Sequence, residues 1–120
     1  MRTDMAILLV EDEALLREMT TEDLEDLGFR VISAANADEA LQVLETEAAI
    51  DALFTDIRMP GPHDGWELAR RARALRPELP VLYASGYSGD GPQPVAGSIF
   101  LHKPYRLSEI EKALGQLMAA

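Results

Sequence analysis

The chain contains no cysteine, which excludes disulfides, thiolate metal sites and cysteine nucleophiles and is compatible with a reducing compartment. Long apolar runs are also missing. The longest, Met5 to Val10, falls far short of the roughly 20 residues that span a bilayer. Glu11, Asp12 and Glu13 follow it at once, unlike a secretory signal. A soluble, unexported cytoplasmic protein with no membrane contact is therefore expected. Positive charge is scarce: 11 Lys and Arg stand against 21 Asp and Glu, a formal charge of −10. That balance argues against non-specific binding to nucleic acid or anionic membrane. It suits a protein partner or a divalent cation, although a solvated acidic surface accounts for most of it. No internal repeat or domain-sized linker divides the 120 residues. One domain of that length buries roughly two-thirds of its unfolded surface and needs no staple.

What is present is an alternation of short apolar runs and helical periodicities. Met5–Val10 reads as a strand buried on both faces. Leu15, Leu16, Met19, Leu24 and Leu27 recur at helical spacing before a stop at Gly28. Residues 29–33 alternate like a half-buried edge strand. Asn36 and Glu39 have capping-box spacing ahead of a helix with Ala40, Leu41, Leu44 and, beyond them, Ile50 inward. Residues 51–55 form a third strand that delivers Asp56 at its end, and Pro60, Gly61 and Pro62 turn the chain. A helix from about Asp64 to Leu75, a strand at 81–84, a short strand at 98–101 and a last helix at 106–118 complete the pattern. In that last helix Leu107, Ile110, Leu114, Leu117 and Met118 face inward, and Ser108 with Glu111 has capping-box spacing. Between 86 and 97 glycine and proline leave no room for a regular three-turn helix. The alternation means right-handed crossovers and an α/β fold, a parallel five-stranded sheet with helices on both faces.

In such sheets chemistry gathers beyond the carboxyl ends of the strands. Four of the five strands end in a capable group: Glu11 and Asp12, Asp56, Ser85, and Lys103 followed by Pro104. Ionised carboxylates crowd together only with a counter-charge. Carboxylates with a loop carbonyl suit Mg²⁺, and the Lys103 ammonium suits a phosphoryl oxygen. A carboxylate beside both has the components for an aspartyl-phosphate.

At this point the chain resembles the bacterial response-regulator receiver domain, the CheY-like family, over essentially its whole length. The motifs are Leu8-Leu-Val-Glu-Asp-Glu13, Phe54-Thr-Asp-Ile-Arg-Met-Pro-Gly61, Asp64-Gly65, Ala84-Ser85-Gly86-Tyr87 and Leu101-His-Lys-Pro-Tyr105. The resemblance implies a doubly wound, flavodoxin-like sheet of order 2-1-3-4-5 with a short or irregular fourth helix. It makes Asp56 the phosphoacceptor, with Asp12 binding Mg²⁺ directly and Glu11 through water. Asp56 and the Arg58 carbonyl complete that ligand set, and Ser85 and Lys103 hold phosphoryl oxygens. Lys103–Pro104 is expected to be cis. Phe100 falls at the aromatic switch position, entering space vacated when Ser85 swings toward the phosphoryl group. Arg58 and Tyr87 stand where the family tunes access of hydrolytic water.

Three departures from the family accompany this resemblance. The loop from Asp56 to Gly65 is one residue longer than in the chemotaxis protein, the switch residue is Phe instead of Tyr, and a Gly/Pro segment replaces most of the fourth helix. Ordering of that segment on phosphorylation would show as altered hydrogen exchange over 86–97. Taken singly, the acids are ordinary caps or turn formers, Ser85 a turn serine and Lys103 a surface lysine. His63 and His102 share no ligand spacing. Arg70, Arg71, Arg73 and Arg76 read as a solvated helix face, Trp66 as a packing residue near the site, and Met1, Met5, Met19 and Met118 as core or terminus.

The resemblance implies a histidine kinase or histidine phosphotransfer protein as phosphodonor and a downstream protein target, with no direct nucleic-acid contact. The chain is then not an enzyme, catalysing only its own phosphorylation and dephosphorylation. The last helix ends close to the final residue, so no output domain is expected. Two architectures fit: a free-standing regulator, favoured by the starting Met, and a receiver from a hybrid kinase, favoured by the Ala84–Tyr87 and Arg58–Pro62 forms. The alternatives are a Mg²⁺-dependent phosphohydrolase with Asp56 as nucleophile and a phosphorylation-independent scaffold. The phosphohydrolase usually wants an acid where Arg58 stands.

Overall fold

A computed structural model describes residues 5–46, 49–59, 63–86 and 94–118. Five parallel strands, β1 (Ala6–Val10), β2 (Arg30–Ala34), β3 (Ala52–Asp56), β4 (Val81–Ser85) and β5 (Ile99–His102), lie in the order β2-β1-β3-β4-β5. The helices are α1 (Ala14–Asp26), α2 (Ala37–Thr46), α3 (Gly65–Leu75) and α4 (Leu107–Leu117). The doubly wound order implied by the resemblance is the one observed.

Strand β1 is buried throughout because it has a strand on each side and helices above and below. Its alternate residues feed two cores. Leu8 and Val10 join Leu53, Tyr83, Leu44, Leu68 and Ala72 on the side of α2 and α3. Ile7 and Leu9 join Phe54, Leu82, Leu24, Ile110 and Leu114 on the side of α1 and α4. Each fully buried aliphatic side chain contributes about 1.5–3 kcal/mol of transfer free energy. Strand β2 lies at the sheet edge as expected, but its burial does not alternate: Arg30 and Ser33 are exposed and Val31 and Ile32 between them are half-buried.

Helix α1 departs from expectation. Its buried residues are Thr20 and Leu24, whereas Leu15 is 68% and Met19 52% exposed. Periodicity grouped these two with Leu16, Leu24 and Leu27; Leu24 is buried and Leu16 and Leu27 half-buried, but Leu15 and Met19 turn outward. Gly28 adopts φ +98° just past the helix, the left-handed conformation that glycine takes without strain.

The caps follow local chemistry. Asn36 Oδ1 accepts from the Glu39 N–H at 2.9 Å, while the Glu39 carboxylate accepts from Ala35 rather than completing a box on Asn36. Asp64 Oδ1 accepts from the Glu67 N–H at 2.9 Å at the start of α3. At α4 the expected Ser108/Glu111 box is displaced. Arg106 is the N-cap residue, and Glu109 accepts from its backbone N–H at 2.8 Å.

Two arginines of the expected solvated face are internal clamps. Arg73 donates to the carbonyls of Leu79 (2.7 Å) and Ala96 (2.8 Å). Arg76 reaches the carbonyls of Leu44 (3.0 Å) and Ile50 (3.4 Å). They neutralise backbone acceptors that the ends of neighbouring elements leave unpaired. Glu67 pairs with Arg70 and Arg71 on the exposed side.

Between β4 and β5 no helix occurs among the described residues. The Val95 N–H donates to the Tyr83 hydroxyl at 3.1 Å, and Ser98 Oγ donates to the Val95 carbonyl at 2.7 Å. The central part of the Gly/Pro segment, Tyr87 included, lies outside the described residues, as do Met1 and the loop residues Pro60, Gly61 and Pro62.

Candidate functional site

Strand register assembles the site. Asp56 is the last residue of β3 and pairs with Ala84, so Ser85 ends β4 one step further along the same rim. Ser85 pairs with His102, which places Lys103 directly beyond the end of β5. Glu11 and Asp12 leave the end of β1 beside them. The Lys103 N–H donates to the Ser85 carbonyl at 3.1 Å, and Arg17 Nη1 donates to the Glu11 carbonyl at 2.8 Å. The Lys103–Pro104 peptide is cis, as expected.

Four expected residues converge. Lys103 Nζ lies 3.2 Å from Asp56 Oδ2 and 3.4 Å from Glu11 Oε2. The Asp56 and Glu11 side chains are only 10% and 8% exposed. Asp56 Oδ1 accepts from the Ile57 N–H at 2.7 Å, which fixes the carboxylate plane. One carboxylate oxygen from each of Glu11, Asp12 and Asp56 can be chosen so that all lie within 4.8 Å of one another. Neither histidine joins this cluster among the described residues.

Ser85 is buried at the same rim. Arg58 is exposed, two residues past Asp56 in the chain. Phe100 stands apart from the charges. It is half-buried on β5, its ring 5.9 Å from that of Trp66.

Burial raises the Glu11 pKa, and the negative charge of Asp56 raises it further; Lys103 and the Glu13 N–H pull the other way without prevailing. For Lys103, burial opposes the charge, but Asp56 and Glu11 outweigh it and the net shift is upward. The ammonium is thus firmly held, yet one lysine cannot neutralise three carboxylates. Their hard oxygen donors fit a small divalent cation, which would supply the missing charge.

A pH dependence follows for the cation-free protein. Glu11 protonates more readily folded than unfolded, so its stabilising effect is full below about pH 4.5 and is lost as pH rises through the higher folded value. Urea titrations in chelator should show stability falling across that window, and Glu11→Gln should flatten the fall. An unchanged slope in the variant would mean that Glu11 is not the group responsible.

The parts played by three contributors were not read from sequence. Arg17 holds the β1–α1 turn, and its only signal is a cation on the first turn of a helix that follows two acids. The Thr55 hydroxyl donates to the Asp56 carbonyl at 2.8 Å, buried in a run that reads simply as strand. Gly65 has no space for a side chain: a Cβ there would lie 2.2 Å from the Asp56 carbonyl oxygen and 2.8 Å from Ile57 Cα.

A doubly wound parallel sheet with acids and a lysine at one rim defines a class of α/β folds that gather charged groups at the strand ends, and comparison with known proteins narrows it. The response regulator receiver domain family matches residues 7–115, and the chain belongs to that family. It is 36% identical to the response regulator receiver protein CpdR of Brucella abortus, over 90% of this chain and 95% of that one. It is 41% identical to the C4-dicarboxylate transport transcriptional regulatory protein DctD of Rhizobium meliloti, covering 75% of this chain but only 19% of that protein. Among solved structures, a response regulator receiver protein from Sinorhizobium medicae superposes with TM-score 0.90 at 38% identity, covering 97% and 95% of the two chains. The receiver domain of the hybrid histidine kinase CckA superposes with TM-score 0.80 at 34% identity over 94% and 98%. The fold and the receiver class that the resemblance implied are therefore those of the family.

Proposed function

We propose that this receiver accepts a phosphoryl group on Asp56 from a histidine kinase or a histidine phosphotransfer protein. The observation that carries the reading is the Asp56 carboxylate itself: buried, oriented by the Ile57 N–H, and 3.2 Å from Lys103 Nζ. A carboxylate oxygen attacks phosphorus, the P–N bond to the donor imidazole breaks, and its electron pair leaves with the imidazole. The Lys103 ammonium follows the phosphoryl oxygens as charge accumulates on them, and the Ser85 hydroxyl donates to another. Glu11, Asp12, Asp56 and the Arg58 carbonyl are the groups that would hold Mg²⁺. When bound, that ion neutralises charge between the carboxylates and the phosphoryl oxygens.

Hydrolysis reverses the state by attack of water on phosphorus, with the Asp56 carboxylate leaving. Arg58 and Tyr87, each two residues beyond a site residue in the chain, are the positions assigned to tuning that hydrolysis. The protein acts on no other substrate. Arg58 stands where a phosphohydrolase of this type places its acid, and a guanidinium is not a carboxylic acid.

The donor approaches over α1, where Leu15 and Met19 stand exposed one turn apart at the end of the helix nearest Asp12. A helix that shows two large apolar side chains beside a charged cleft suits a helical partner surface. Readout follows through altered protein binding once Ser85 and Phe100 rearrange. No described helix is long and apolar enough to cross a membrane, and a cytoplasmic location with no direct nucleic-acid contact fits the acidic charge.

The test is labelling with a small acyl phosphate and Mg²⁺. Intact mass should rise by one phosphoryl group per chain, and peptide mapping should place it on Asp56. Absence of labelling by any donor would leave a scaffold, and turnover of a chromogenic phosphate ester would leave an enzyme.

A further inference from the structure

The described route from the phosphoacceptor to Phe100 runs through the Ser85 side chain. A second physical route lies on the other side of Asp56. Gly65 opens α3 pressed against the main chain of residues 56 and 57: its N–H donates to the Ile57 carbonyl at 2.7 Å, and no Cβ fits between it and the Asp56 carbonyl. A shift of that main chain therefore moves the first turn of α3, because nothing compressible separates them.

The next residue is Trp66, 6% exposed. Its ring centroid is 4.6 Å from that of Tyr83 and 5.9 Å from that of Phe100, with the Phe100 plane inclined by only 24°. Phe100 in turn meets His102 edge-on at 4.7 Å. His102 is exposed and immediately precedes Lys103. The aromatic groups thus form a continuous packed row from the start of α3 to the outer edge of the sheet at β5. Tyr83 anchors the row from beneath, since its hydroxyl is held by the Val95 N–H and its ring is fully buried. Trp66 thus has the buried Tyr83 ring on one side and Phe100 on the other.

We propose that Trp66 is a positioning residue that couples the Asp56–Ile57 main chain to Phe100, independently of the Ser85 hydroxyl. The trigger rests on the phosphoacceptor reading above; the mechanical coupling does not. Spatial continuity alone does not establish coupling, so the test measures it directly.

The full chain is used, with NMR of the Phe100 and His102 rings as the readout. In one arm Gly65→Ala pushes the Asp56 carbonyl without any phosphoryl group. The Phe100 and His102 resonances should move, and the same substitution introduced into Trp66→Leu should move them by less than about a fifth as much, within the coupling range of packed side chains. Trp66→Phe, which keeps an aromatic face, should restore part of the response. In the second arm, Mg²⁺ and beryllofluoride are added and fluorine NMR reports site occupancy. At matched occupancy, Ser85→Ala should retain part of the Phe100 displacement, and Ser85→Ala with Trp66→Leu should lose it.

Equal displacement of Phe100 with and without Trp66, in either arm, overturns the proposal. If Gly65→Ala does not fold, the loading arm decides. If wild-type protein binds no beryllofluoride, the phosphoacceptor reading fails, and the Gly65→Ala arm still decides this one.

Discussion

Asp56→Asn loses phosphoryl labelling altogether and keeps its fold. An amide oxygen has too little electron density to displace a donor from phosphorus, so no rate remains to be rescued by longer incubation. The surrounding structure is expected to survive because the Asn oxygen can still accept from the Ile57 N–H, now at 2.7 Å from Asp56 Oδ1. Lys103 keeps Glu11, 3.4 Å away. The substitution also removes the neighbouring negative charge that raises the Glu11 pKa, so cation-free stability becomes less dependent on pH in the acid range. Divalent-cation affinity should fall at least about tenfold with the loss of one charged ligand. Intact mass after acyl-phosphate treatment, thermal unfolding and a Mg²⁺ titration check these three outcomes. Phosphoryl incorporation equal to the parent would place the acceptor elsewhere and end the reading.

The strand ends were legible because burial on both faces leaves an unmistakable sequence. Ala6–Val10 and Val81–Ser85 are buried at every position, and a strand in that situation has no polar side to confuse its phase. Once five strands lie in this parallel order, the chemistry of their last residues is fixed in space by topology, and Glu11, Asp12, Asp56 and Lys103 meet as the order requires. Phosphoryl chemistry is a reading of that meeting, not a consequence of the fold alone.

What sequence concealed has identifiable causes. Leu15 and Met19 share a helical stripe with buried residues, and periodicity cannot say whether an apolar face meets the sheet or a partner. Arg73 and Arg76 look like the rest of a basic helix face because their acceptors are carbonyls of Leu44, Ile50, Leu79 and Ala96, several of them remote in the chain. The α4 cap slipped by two residues because Ser108 is the commoner cap type, whereas the turn after Pro104 starts the helix at Arg106. Gly65 read as one half of an Asp-Gly motif. Its meaning, an absent Cβ against the Asp56 carbonyl, exists only in three dimensions.

Lys103→Met separates the two duties of the lysine. The thioether chain approximates the stem of the lysine and loses only the charge. Labelling of Asp56 should slow by about 10²–10³-fold, the usual cost of removing one preorganised donor from developing charge. Stability should respond in the opposite sense to cation. Without Mg²⁺, Glu11 and Asp56 are left facing each other with side chains only 8% and 10% exposed, and the Glu11 pKa rises further. Because the lysine is itself 25% exposed, solvent screening moderates the loss to about 1–3 kcal/mol, below the value for a fully buried pair. Acid should recover it: the variant is most stable below about pH 4.5 and loses stability as pH rises through the elevated Glu11 value, more steeply than the parent. Mg²⁺ should recover it as well, and should bind more tightly than to the parent, since no ammonium then competes for the same oxygens. Urea titrations with and without Mg²⁺, run beside a labelling time course, distinguish the effects. A variant that labels at the parental rate would reduce Lys103 to a structural counter-ion, and one that binds Mg²⁺ more weakly would show that the lysine orders the carboxylates instead of competing for them.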